Sequence, residues 1–177
     1  MTMTPFRHLF DPLHGRRICF MGLGNPDYGD DGFGVRMAEK LIAAGVPDVV
    51  VAGTAPENHI GRIASEEFAN LVFLDAVEFG AEAGSLILAG SHEIEVRFPQ
   101  ISTHKLSLAV LAKLAESNRK TRAWLLGVQP ESLKPGHTLS LAVQRTMSIV
   151  RELLTHREPQ HAISGAKLQQ DLRVNAC

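Results

Sequence analysis

Ile18–Leu23 (ICFMGL) is an unbroken apolar run. It leads into GLGNPDYGDDGFG, dense in turn-forming residues, and then into the helical pattern VRMAEKLIAAG. A continuous apolar segment of this length suits a strand buried on both faces, and such strands belong to parallel sheets with helical crossovers. Strand, glycine-rich turn and helix in that order point to an α/β architecture. In open sheets of that class, ligands sit at the carboxyl ends of the strands.

The rest of the chain continues the alternation. Val35, Ala38, Leu41 and Ile42 recur at helical spacing, and Gly45 can stop that helix. DVVVAG (48–53) reads as a second buried strand, TAPEN as a polar turn, and residues 60–68 as a short helix. Leu71–Leu74 reads as a third strand ending at Asp75, and SLILAG (85–90) as a fourth. No helix separates these two, which suggests one antiparallel strand. HEIEVRF (92–98) alternates and reads as a marginal edge segment. Ser102 or Thr103 caps a helix expected from about His104 to Ser117, with Leu106, Val110, Leu111 and Leu114 on one face. AWLLGV (123–128) is a further strand, and a last helix over His137–Thr155 turns Leu139, Val143, Met147, Val150 and Leu154 inward.

The 177 residues, 45% hydrophobic and 21% charged, suit one globular domain. Residues 1–15 and 157–177 lack periodicity and read as flexible extensions around a folded unit at 16–156. A net charge of -1 supplies no field for nonspecific nucleic-acid binding. No apolar stretch approaches the roughly 20 residues of a membrane span, and the N-terminus lacks the pattern of a signal peptide. Cys19 lies in an apolar run and Cys177 ends the chain. That usage fits a reducing cytoplasm better than a disulfide.

Three titratable residues fall at the strand ends: Asp31 after the first strand, Asp75 closing the third, and His104 at a helix entry. Each has a plain structural reading. Asp30 and Asp31 suit helix capping, with one carboxylate exposed while the other caps. Asp75 suits a turn, although a carboxylate directly after four large apolar residues is costly to bury unless paired or metal-bound. His104 suits a capping or surface histidine, although a helix start keeps its imidazole neutral and able to bind a metal. Taken together, two carboxylates and an imidazole form an oxygen/nitrogen set suited to zinc, nickel, iron or manganese, with positions left open for chemistry. No HExxH, paired CxxC or GxxxxGK[ST] occurs. A nucleotide cofactor is not expected, because a dinucleotide GxGxxG starting at Gly22 would require glycine where Asp27 stands.

GLGNPDYGDDGFGVRMAEKL, GTAPEN (53–58), FLDAVEFGAEAGSL (73–86), STHKLSL (102–108) and LLGVQPE (125–131) occur in this order. They resemble the hydrogenase maturation protease family, most of all the branch serving formate-hydrogenlyase-type hydrogenases, over about Ile18 to Leu154. The resemblance implies a three-layer α/β/α fold with a mostly parallel five-stranded sheet. It also implies a cytoplasmic, aspartic-type endopeptidase that removes a C-terminal extension from the precursor of a nickel-iron hydrogenase large subunit. Such enzymes act after nickel insertion. By the same resemblance Asp31, Asp75 and His104 grip nickel supplied by the precursor, and Asp31 takes the direct chemical role. Gly22, Gly24, Asn25 and Asp30 are expected to meet the substrate, the loop at 22–25 offering backbone groups to the substrate strand or the developing oxyanion.

Two alternatives stand beside this reading. Peptidyl-tRNA hydrolases also open with a strand, GLGNP and a tyrosine, matched here by Gly22–Pro26 and Tyr28. That family continues into a Thr-Arg-His-Asn stretch with its catalytic histidine, where this chain has Gly29-Asp30-Asp31-Gly32. The other alternative is a noncatalytic protein that binds nickel or a hydrogenase subunit without cutting it.

Overall fold

The structure is a computed structural model, and it describes residues 8–13, 17–66, 68–98, 107–136 and 138–155. The strands are β1 (Ile18–Leu23), β2 (Val49–Gly53), β3 (Asn70–Ala76), β4 (Leu86–Gly90) and β5 (Arg122–Val128). The helices are α1 (Phe33–Ala43), α2 (Glu57–Ser65), α3 (Ser91–Arg97), α4 (Leu108–Glu116) and α5 (Leu141–Thr155). Short 3-10 turns cover His8–Leu13 and Gly29–Gly32.

The sheet runs β2-β1-β3-β5-β4, with every neighbouring pair parallel except β4 against β5. β1 and β3 are buried along their whole length, as their continuous apolar sequences require. Alternate residues divide the core. Ile18, Phe20, Val72, Leu74, Leu126 and Val128 face α1 and α5. Cys19, Met21, Leu23, Leu71, Phe73 and Leu125 face α2, α3 and α4. This is the expected α/β/α sandwich with its single antiparallel strand.

Several elements differ from the sequence reading for identifiable reasons. β2 is an edge strand whose residues are only partly buried, except for Val51, which is exposed. A run of valines reads the same in the middle of a sheet and at its margin. The segment 92–98 belongs to helix α3, with Phe98 just past its end, rather than to an edge strand. Ile94 and Phe98 are buried and Val96 is 64% exposed, so the i, i+4 spacing prevails over alternation. Glu93 supports the helix start by accepting the Gly90 N–H. The helix expected from His104 to Ser117 is seen over Leu108–Glu116, with the Ser107 hydroxyl accepting the Val110 N–H. It buries Leu108, Leu111, Ala112 and Ala115, leaving Val110 and Leu114 exposed. Residues 99–106, including His104 and the expected caps Ser102 and Thr103, lie outside the described residues, as does 157–177. Within 1–15, residues 8–13 form a 3-10 turn whose Phe10 and Leu13 are buried against the α1/α5 layer.

Candidate active site

The carboxyl end of β1 is built around close backbone approaches. Gly34, in the first turn of α1, lies so near the sheet that a Cβ there would stand 1.9 Å from the Leu74 carbonyl oxygen and 2.5 Å from that of Leu23. Gly22 faces it, its Cβ position 2.3 Å from the Gly34 carbonyl oxygen. These two glycines let the start of α1 rest directly on β1 and β3. Gly24 has φ +102°, and a Cβ on it would stand 1.9 Å from the Asp31 carbonyl oxygen. The turn after β1 therefore folds back so that Asp31 rests on Gly24.

The two adjacent acids part company in this turn. Asp30 is 1% exposed. Its Oδ1 accepts the Ser140 N–H at 2.7 Å, and its Oδ2 accepts those of Glu131 at 2.8 Å and Ser132 at 3.3 Å. Its own N–H donates to the Ser132 carbonyl. Backbone amides thus surround the buried carboxylate, an arrangement that stabilises its charge. Asp30, expected to meet the substrate, fastens Glu131, Ser132 and Ser140 to the turn.

Asp31 is 5% exposed, and its Oδ2 accepts the Asn25 N–H at 2.7 Å. With Asn25, Tyr28, Thr54 and Leu133 it lines a cleft of about 220 Å3. Gly24 and Asn25 do not offer free amides, since the Gly24 N–H donates to the Gly53 carbonyl and the Asn25 N–H to Asp31. The expected oxyanion donors at those two positions are already engaged. Gly22 is committed to packing against α1.

Asp75 is the next-to-last residue of β3, 4% exposed, with its Oδ1 accepting the Ala76 N–H at 2.9 Å. It shares the face of β3 that carries Leu71 and Phe73, toward α2 and α4. Gly22 of β1 pairs with Leu74 of β3, so Asp75, near the carboxyl end of β3, and Asp31, in the turn after β1, belong to two hydrogen-bonded neighbours. Asp75 is not among the residues lining the cleft. Among the described residues no group of three His, Cys, Asp or Glu side chains is arranged to hold a metal ion. His104, the third residue of the expected set, lies outside them.

Thr54, Tyr28 and Leu133 were not anticipated as cleft residues. Thr54 directly follows β2 and could have been found from the rule that strand ends line the site. Leu133 carries no such signal, because Asp30 brings it in from more than a hundred residues away. Cys19 supplies no nucleophile: it is buried on the α2/α4 face of β1, and burial pushes its thiol up to about 12.

A family profile described as hydrogenase maturation protease (HycI) matches residues 35–156. The hydrogenase 2 maturation protease of Escherichia coli K12 is 30% identical over 163 residues, covering 83% of this chain and 98% of that protein. The structure of the [NiFe] hydrogenase maturation protease HycI from Thermococcus kodakarensis KOD1 superposes with a TM-score of 0.71 at 32% identity, over 85% of this chain and 96% of that one. The hydrogenase maturating endopeptidase HybD from E. coli superposes with a TM-score of 0.66 at 27% identity, over 77% of this chain and 88% of that one.

Proposed function

The chain belongs to the hydrogenase maturation protease family, and from that premise we propose how its cleft works as an endopeptidase on the large-subunit precursor of a nickel-iron hydrogenase. It removes the C-terminal extension of that precursor. The observation that carries the reading is the Asp31 carboxylate, fixed by the Asn25 amide in the wall of a cleft at the carboxyl end of β1. General-base hydrolysis of a peptide is served by a carboxylate held in place beside room for the substrate, and Asp31 is the acid in that position.

In this account nickel arrives with the substrate. Asp31, Asp75 and His104 contact the ion carried by the precursor, which positions the scissile peptide in the cleft and restricts cutting to loaded precursor. Asp31 also assists the attacking water. The water oxygen bonds to the scissile carbonyl carbon, its proton passes to the carboxylate, and the C–N bond breaks with that proton delivered to the leaving amine. In this reading the enzyme works in the cytoplasm, the compartment that its cysteine usage favours. Among the described residues no helix is long and apolar enough to cross a membrane. The named relatives are proteases, so the tRNA-hydrolase alternative is not favoured.

The decisive experiment mixes the protein with nickel-loaded and nickel-free precursor and weighs the large subunit. Loss of a C-terminal fragment from the loaded form alone is the expected result. Stable complex formation without a mass change would instead identify a noncatalytic binder. Asp31→Asn, Asp75→Asn and His104→Ala should each slow processing by about 100-fold or more. Full processing by the Asp75 or His104 variant would remove the metal-docking account.

A further inference from the structure

Among the described residues β2 forms one margin of the sheet and pairs only with β1. The Phe20 N–H donates to the Asp48 carbonyl, and Phe20 is in register with Val49. In a parallel ladder that parity turns the N–H and C=O groups of Val50 toward β1 and those of Val49 and Val51 away from it. Among the described residues no hydrogen bond reaches the outward groups of Val49 or Val51. Edge strands are ordinarily protected by charge, proline or cover. The strand VVVAG carries no charged residue and no proline, and Val51 is 40% exposed.

The edge leads into the cleft. Gly53, the last residue of β2, accepts the Gly24 N–H, and the next residue, Thr54, lines the cleft with Asp31. β4, at the opposite margin, contributes no cleft residue. The ladder bulges between Val51 and Gly53, where Gly53 has φ +57°, so a chain paired along Val49–Val51 is delivered to the margin of the cleft at Thr54. We propose that the outer edge of β2 is the docking rail for the substrate polypeptide. The segment of the hydrogenase large-subunit precursor next to the cleaved bond adds to the sheet as a sixth strand and takes hydrogen bonds from the backbone of Val49 and Val51. Strand addition reads main chain rather than side chains, so the rail accepts varied sequences and leaves selection to the cleft. This assignment rests on the reading of that cleft as the place of cutting.

Two measurements test it, and they separate the rail from the cleft. In the first, the Asp31→Asn enzyme is mixed with nickel-loaded precursor, and amide hydrogen exchange is followed residue by residue. The amides of Val49 and Val51 should slow by about tenfold or more on complex formation, whereas Val50 and Ala52, already turned toward β1, should not change. No slowing at Val49 and Val51 overturns the rail. Slowing without precursor that grows with enzyme concentration assigns the edge to a second copy of this chain and overturns it equally.

In the second, Val51→Pro removes the outward N–H while leaving the ladder to β1 in place. It should raise KM for the precursor about tenfold, with the larger share of the loss in KM rather than kcat, as expected for losing about one backbone hydrogen bond. A folded Val51→Pro enzyme with unchanged KM overturns the rail and leaves the cleft reading intact. Unimpaired cutting by Asp31→Asn overturns the cleft reading itself. Should Val51→Pro fail to fold, the exchange measurement decides alone.

Discussion

Asp30 and Asp31 show how little adjacency says about role. One carboxylate is enclosed by the amides of Glu131, Ser132 and Ser140; the other stands in the cleft wall on the Asn25 amide. Replacing Asp30 with alanine strands three donors and should lower the unfolding free energy by about 3 kcal/mol. Urea denaturation would measure that loss. Asp31→Asn, which keeps an oxygen for Asn25, should stay within about 1 kcal/mol of the parent while losing processing. The sequence reading, one acid capping and the other exposed, does not hold: no side chain caps the 29–32 turn or α1, and both carboxylates are buried. Their separate roles were not legible, because the partners of Asp30 come from the far end of the chain. Cys19 was legible as a buried thiol, and its pKa of about 12 adds a test. Its folded pKa lies above the unfolded value near 9, so its contribution to stability is complete below pH 9 and lost as pH rises toward 12. Alkylation mapped by mass spectrometry at pH 8 should leave Cys19 unmodified in the folded protein and modified in urea.

The packing of α1 on β1 and β3 depends on two facing glycines. Gly34→Ala would drive a methyl group into the Leu74 and Leu23 carbonyls. It should cost about 3 kcal/mol and displace the turn bearing Asp31, so calorimetry and the precursor assay should both register the loss. β1, α1, β3, β5 and α5 were legible because each has an unbroken apolar run or a full helical period. β2 was legible as a strand but not as a margin, since strand order is decided by how the crossovers pack. The 92–98 segment was misleading because Ile94 and Phe98 fit a strand face and a helical i, i+4 pair equally. Only Val96, exposed in α3, tells the two apart. For α4, the sequence reading turned Val110 and Leu114 inward, whereas packing against α2 and β5 buries Leu108, Leu111 and Ala115 and leaves those two exposed.

The sandwich draws on both ends of the described chain. Phe10 and Leu13 enter the same core as Leu139, Val143, Met147 and Val150, so the 3-10 turn before β1 is part of the folded body. Phe10→Ala should destabilise the protein by about 3 kcal/mol or more, seen as a lower midpoint in denaturant. Aperiodic sequence hid this contribution, because two anchoring side chains are too few to make a pattern. The sequence placed Asp31 and Asp75 at the ends of strands and the topology made those strands neighbours, yet the cleft also needed Leu133, which no local signal announces. That dependence sets an order of events during synthesis. A nascent chain still lacking Ser140 has already made Asp31, but not all of the amides that fasten the opposite wall. The cutting groove is therefore finished only once residue 140 of the 177 has left the ribosome, and an enzyme abandoned mid-translation is born without an edge to its blade.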